Sequence, residues 1–243
     1  MAAASSSSNT AKTRPYAVYD VFTNVPLHGN PVAIVFDADD LSEEARLKAT
    51  HWINLSETVF FDAPTHPEAD YKIDIYTPGR RLPFAGHPTL GAVNAWLDAG
   101  GQPKQDGCVV QECGIGLVRL RISVDEATKR RRLAFAAPPF LHEGDVAPEV
   151  LQSICAALRL DRAQHVLAAR LIDNGPGWIG LHVKDADVVL NTIPPPSDID
   201  WAQLGDYNVG IVGAYAVRGE DGAAEPAFEV RAVCGKPAFE GES

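Results

Sequence analysis

Polar and apolar residues alternate from Tyr16 to Phe22 and again over Tyr71-Lys72-Ile73-Asp74-Ile75-Tyr76. A two-residue period is that of a half-buried strand. Val32 to Phe36 and Thr58 to Phe61 are short unbroken apolar runs, which predict strands buried more fully. Val25-Pro26-Leu27-His28-Gly29-Asn30-Pro31 is turn chemistry. Ser42 before Glu43-Glu44 predicts an N-cap with acids at the positive helix end, opening a helix that runs to about Trp52. After the Tyr71 strand, Leu82-Pro83-Phe84-Ala85-Gly86-His87-Pro88 predicts a turn that delivers a histidine to a helix start. Pro88 suits a first helical turn, where a missing N–H costs nothing. This helix is expected to run to Leu97 and stop at Gly100-Gly101.

The pattern of that second helix sets the architecture. Leu90, Val93 and Leu97 share one side, Trp96 lies beside them, and Ala92 and Ala95 fill in; only Thr89 and Asn94 are polar. A helix apolar nearly all round belongs inside a domain. Burying its four large side chains would stabilise by about 1.5–3 kcal/mol each. The expected picture is a helix wrapped by sheet.

Further strands are expected at Gly116 to Val124, Leu133 to Ala136, Val166–Ile172, Trp178–Val183, Ile211–Arg218 and Phe228 to Val233. Pro148 to Leu158 has a helical pattern, and a short helix is expected near Asp200–Gly205 after the Pro194-Pro195-Pro196 loop. Mixed strands with interspersed helices give an α+β class. The expected division is a disordered tail over 1–14, an N-terminal domain over 15–128 and a C-terminal domain over 129–243. Phe84-Ala85-Gly86-His87-Pro88 and Phe239-Glu240-Gly241-Glu242-Ser243 each follow a strand and a basic turn, which suggests two copies of one unit. Glu242 is then the counterpart of His87.

Composition removes several function classes. The net charge is −11, which argues against a nucleic-acid partner. The one basic cluster, Lys129-Arg130-Arg131-Arg132, reads as a solvated hairpin tip. No apolar run approaches the ~20 residues of a membrane span, and the Ala/Ser-rich start lacks the core of a signal peptide. Cys108, Cys113, Cys155 and Cys234 match no zinc spacing, so reduced thiols and a cytoplasmic location are expected. A metal enzyme is a third reading with only scattered histidines in its support, and no metal is expected. No phosphate loop, dinucleotide fingerprint, Gly-x-Ser-x-Gly or His-Glu-x-x-His is present. Neither Cys108 nor Cys113 opens the first buried helix, so a two-thiol racemase mechanism lacks its residues there.

Two residues carry the candidate chemistry. Glu57 stands between a helix end and the apolar strand Thr58-Val59-Phe60-Phe61. Desolvation there would raise its pKa toward the range useful for shuttling protons. His87 stands at a helix N-terminus, where outward N–H groups also suit a substrate carboxylate and the neutral imidazole is favoured. Taken alone, Glu57 reads sooner as a surface carboxylate at a strand start, and His87 equally as a loop histidine that caps or packs. Asn30 and Gly86 are also turn formers, Asp20 a polar strand residue, and Trp178, after Asn174-Gly175-Pro176-Gly177, a core residue.

Gly29-Asn30-Pro31, Asn54-Leu55-Ser56-Glu57-Thr58-Val59-Phe60, and Thr77-Pro78 with Leu82-Pro83-Phe84-Ala85-Gly86-His87-Pro88-Thr89-Leu90-Gly91 occur in order. With them the chain resembles the PhzF-like family, the phenazine-biosynthesis group of the diaminopimelate-epimerase superfamily, over about Tyr16 to Ser243. The resemblance implies two similar domains, each a curved mixed sheet around a central helix, with a cleft between. It implies isomerisation without a cofactor or metal on a small carboxylate-bearing metabolite, with Glu57 as the acid/base. It places His87, Gly86, Pro88, Asn30 and Glu242 against the substrate. The best-known member isomerises a dihydro-hydroxyanthranilate. The family continues past an acidic residue with Thr-Gly-Ser and a second central helix, whereas this sequence stops at Glu242-Ser243. The expectation is therefore a second domain lacking its central helix, with activity in doubt and a bare sheet that, like the family likeness, leans toward a homodimer. The rival expectation is a truncated, non-catalytic relative that binds a small acid or a partner chain, or a fragment of a gene model.

Overall fold

The strands form close to where the pattern puts them. The computed structural model describes residues 12–23, 25–174, 177–192, 194, 196–205, 207–216 and 227–234. They belong to two units, Met1–Ala136 and Ala137–Ser243.

In the first unit β1 (Tyr16–Val21) pairs antiparallel with β2 (Asn30–Val35). The helix α1 (Glu43–Ile53) then carries the chain to β3 (Thr58–Asp62), parallel to β2. β4 (Tyr71–Tyr76) returns antiparallel and holds the two-residue β5 (Arg81–Leu82). The second helix, α2 (Gly86–Asp98), leads to β6 (Cys108–Cys113), parallel to β4. β7 (Gly116–Val124) and β8 (Arg131–Phe135) finish the sheet as an antiparallel meander, in the order β1-β2-β3-β4-β6-β7-β8. β8 thereby belongs to the first unit. β1 and β8 end opposite edges of this sheet, yet α2 packs against both. The sheet therefore curls into a half-barrel around α2.

The inner core joins Val32, Ile34, Val59, Phe61, Ile73, Ile75, Val109 and Leu120 to Ala92, Val93 and Ala95 of α2. The helix seats through its small residues: a Cβ on Gly91 would lie 2.4 Å from Val32 Cγ1. Leu90, Trp96 and Leu97 are only partly buried around this seat. At the far end of α2, Asp98 accepts from Tyr19 of β1 (3.2 Å) and from Arg131 of β8 (3.0 Å). Arg131 also donates to Asn94 (2.7 Å). So Arg131, expected at a solvated hairpin tip, instead ties one edge of the sheet to the helix.

The outer face is covered by α1. Ser42 Oγ accepts from Ala45 N–H (3.2 Å), the predicted N-cap, and Asn54 ends the helix at φ 59°. Arg46 lies buried between α1 and the sheet. Its guanidinium donates to Asp62 (2.7 and 2.8 Å), Asp74 (2.9 Å) and the Ala38 carbonyl (2.9 Å), beside the Phe60 ring. Burial pulls this guanidinium's pKa down, but the Asp62 hydrogen bond and the two carboxylate charges outweigh it and raise the pKa. Removing one partner of such a buried pair typically costs ~3–5 kcal/mol.

In the second unit β9 (His142–Asp145), α3 (Pro148–Ala157) and the single turn α4 (Arg162–His165) precede β10 (Val166–Asp173) and β11 (Trp178–Val183). Then come α5 (Ala186–Thr192), α6 (Trp201–Leu204), β12 (Asn208–Ala214) and β13 (Phe228–Val233). The sheet order is β13-β12-β11-β10-β9, with β11 and β12 parallel and the other pairs antiparallel. Its core joins Ile154 and Leu158 to Ile179, Leu181, Val189, Leu204, Val209 and Ile211. Trp178, expected in the core, is instead half-buried on the opposite face, near Gly210. Among the described residues no helix is long and apolar enough to cross a membrane, and no cluster of three or more His, Cys, Asp or Glu could hold a metal ion. The suggested repeat Phe239-Glu240-Gly241-Glu242-Ser243 lies outside the described residues, and Glu242 with it.

Candidate active site

Three loops meet at the start of α2. The turn after β5 brings Gly86 and His87, the left-handed exit from α1 at Asn54 brings Ser56 and Glu57, and the β1–β2 loop brings Asn30. Alternation along β3 aims Glu57 to the inner side, the side of Val59 and Phe61, toward α2. The Glu57 carbonyl also accepts from Ala33 N–H (3.3 Å), which ties the approach to β2.

Side chains from separate parts of the sequence then touch. His87 Nδ1 lies 3.1 Å from Glu57 Oε2, and His87 Nε2 lies 2.9 Å from the Asn30 carbonyl oxygen. Ser56 Oγ donates to the same Glu57 Oε2 (2.5 Å). The Glu57 side chain is 20% exposed and that of His87 10%, so both are largely desolvated. Phe22 lies over the imidazole, with ring centroids 6.0 Å apart. It is 71% exposed and left-handed at φ 67°, an uncommon conformation for a bulky residue.

The electrostatics correct one expectation. Burial does push the Glu57 pKa up, as anticipated. The hydrogen bonds from His87 and Ser56, with the His87 charge, outweigh it and leave the carboxyl below its ordinary value. A desolvated carboxylate is raised only when nothing compensates its charge. The Glu57 carboxyl therefore favours its ionised form more than an ordinary glutamate does.

The N-terminus of α2 is open. Ala85 is the N-cap residue and offers no side-chain oxygen, so no cap side chain accepts from the first-turn N–H groups. Gly86 lets the chain pass Phe135, whose Cζ would lie 2.8 Å from a Cβ placed there. Pro88 is buried in the first turn. One residue on, Thr89 accepts from Gln111 (3.1 Å), and Gln111 accepts from Tyr71 OH (3.1 Å). This fully buried polar chain fastens the start of α2 to β6 and β4.

The structure thus brings together Glu57, His87, Gly86, Pro88 and Asn30. Asn30 takes part through its main chain, while its residue is exposed. Ser56, Phe22 and Gln111 are additions. Ser56 precedes Glu57 and was legible as a neighbour; Phe22 and Gln111 carried no local signal beyond an apolar and a polar strand position.

Comparison with known proteins points to one family. The family model described as phenazine biosynthesis-like protein matches residues 19–234. The chain is 37% identical over 177 residues to Antisense-enhancing sequence 1 of Schizosaccharomyces pombe, spanning 72% of this chain and 59% of that protein. Over 80 residues it is 49% identical to trans-2,3-dihydro-3-hydroxyanthranilate isomerase of Pseudomonas aeruginosa, spanning 33% of this chain and 28% of that enzyme. The chain thus covers less than two thirds of the length of these curated relatives. A crystal structure of a PhzF-family phenazine biosynthesis protein from Bacillus anthracis superposes with a TM-score of 0.71 at 21% identity, covering 92% of this chain and 73% of that one. That likeness shows the α+β fold.

Proposed function

The chain belongs to the phenazine biosynthesis-like protein family, and we propose that it is an isomerase that moves a proton between carbons of a small carboxylate-bearing metabolite. Glu57 removes the proton and returns it. The substrate carboxylate lies at the open N-terminus of α2, against Gly86, His87 and Pro88. The observation that carries this reading is the contact of Glu57 Oε2 with His87 Nδ1 at 3.1 Å, at the mouth of an uncapped helix. It joins an ionised base to an anion-favouring helix end in one desolvated place. The relative from P. aeruginosa, named for isomerising trans-2,3-dihydro-3-hydroxyanthranilate, supports the substrate class. Glu242 and a homodimer, both implied by the family resemblance, belong to the same proposal.

The physical step needs no redox partner. A C–H bond breaks, its electron pair stays on the substrate, and the proton bonds to Glu57. The O–H bond then breaks as C–H forms at another carbon. The test is incubation of the full chain in deuterated water with small carboxylates that carry an acidic C–H, beginning with trans-2,3-dihydro-3-hydroxyanthranilate. Deuterium entering a carbon position, followed by proton NMR, is the expected result. Binding of these acids without any exchange would instead favour a non-catalytic acid-binding protein.

A further inference from the structure

Both nitrogens of the His87 ring face oxygen. Nε2 lies 2.9 Å from the Asn30 carbonyl, which has lone pairs and no proton, so that hydrogen bond exists only with hydrogen on Nε2. A backbone carbonyl in a paired strand cannot turn away or change its protonation. The imidazole is therefore held in one tautomeric family. Nδ1 faces Glu57 Oε2 at 3.1 Å. If the ring is neutral, Nδ1 carries only a lone pair, and Glu57 must then supply the hydrogen. If Glu57 is ionised, Nδ1 must supply it. A neutral ring beside a carboxylate would set lone pair against lone pair; an imidazolium beside a carboxylic acid proton on Oε2 would set hydrogen against hydrogen.

We infer that Glu57 and His87 form a pair holding one mobile proton, between Nδ1 and Oε2, in a tautomer locked by the main chain of Asn30. This deepens the isomerase reading by dividing the labour of the two carboxyl oxygens. Oε2 is the anchored oxygen, since it already receives Ser56 Oγ and His87 Nδ1. Oε1 has no hydrogen-bond partner among the described residues, and it is the oxygen that meets the substrate. When Oε1 takes a proton from carbon, the O–H bond forms and the C–H electron pair remains on the substrate. The proton between Nδ1 and Oε2 stays within the pair. The net charge of the pair rises by one as that of the substrate falls by one, so positive charge is held beside the place where negative charge develops. His87 acts here through Glu57, as a positioning residue and proton partner. The Phe22 ring also lies beside the imidazole, with centroids 6.0 Å apart.

The pair can be read in the full chain with no substrate present, so its failure is separable from failure of the isomerase reading. The protein is labelled with 15N and 13C and its resonances are assigned through the backbone. Near pH 7, the two ring nitrogens of His87 and the carboxyl carbon of Glu57 each report protonation. The expected result is a protonated Nε2, together with one proton in total on Nδ1 and the Glu57 carboxyl. In Glu57→Gln, whose amide can donate to Nδ1, the ring should be neutral with hydrogen on Nε2. Three results overturn the proposal: a bare Nε2, a bare Nδ1 facing an ionised Glu57, or a protonated Nδ1 facing a protonated Glu57. The first would show that the Asn30 carbonyl does not hold the ring; the others would show that the pair does not share a single proton.

Discussion

The two units use sheet differently. In the first, both faces are covered: α2 fills the inside and α1 the outside. β3, sequence TVFFD, is accordingly buried at four successive positions. In the second, β12 alternates strictly between buried and half-buried, and the helices α3, α5 and α6 join the core of one face. The opposite face carries Phe228 and Val230, 56% and 64% exposed. A strand covered twice writes a continuous apolar run, and a strand covered once writes alternation. The candidate chemistry lies in the doubly covered unit. That follows from physics, since a helix end held rigidly inside a curled sheet can fix a side chain to within tenths of an ångström, and proton transfer demands that.

The comparison can be broken most severely at the outer cover. Arg46→Ala removes the cation that Asp62 and Asp74 share, while Asp74 keeps its bridge to Arg81. It should lower the stability of the first unit by ~3–5 kcal/mol. Amide exchange at Ile34 and Val59 should accelerate, while Leu181 and Ile211 of the second unit keep their protection. Equal acceleration in both units would mean that they do not unfold separately. A smaller effect is expected inside the half-barrel. Gln111→Leu leaves the hydroxyls of Tyr71 and Thr89 buried and unpaired, at a cost of about 1–3 kcal/mol in chemical denaturation. Smaller still, Ser42→Ala removes the N-cap of α1, for about 1 kcal/mol. An unchanged denaturation midpoint would show that the cap hydrogen bond contributes nothing.

The smallest expected effect is that of acid. Glu57 is held below its ordinary value in the folded state, so it binds a proton less readily there than when unfolded. Its contribution is fully present above the unfolded pKa near 4.5 and is lost as pH falls through the lower folded value. Stability should therefore decline on acidification below that point, and less so in Glu57→Gln. An identical decline in both proteins would show that this pair adds nothing to acid sensitivity.

Much of the fold was legible because the strong patterns are local. The Tyr71 strand, the β7 and β11 strands and both helices of the first unit lie where periodicity and capping put them. What was hidden depends on distant partners. β6, sequence CVVQEC, has two polar residues in a row; Gln111 is buried because Tyr71 and Thr89 meet it. α5 is seven residues long, and its start is marked only by Asp185, which accepts from Val188 N–H (2.9 Å). At the site, the motifs named Glu57 and His87 but not their contact. The raised carboxyl anticipated for Glu57 followed from burial alone, and burial was only one of the forces acting. The Asn30 carbonyl could not be foreseen, because a main-chain oxygen leaves no mark in a sequence.

The central claim is that Glu57 carries the proton. Its most direct test is the rate at which deuterium from solvent enters the carbon skeleton of a substrate that the wild-type protein turns over, compared with Glu57→Gln. That variant keeps the shape of the side chain and loses the group that titrates. A drop of roughly 10²–10⁴-fold is predicted, the usual worth of a positioned acid/base; exchange at the wild-type rate would contradict the account.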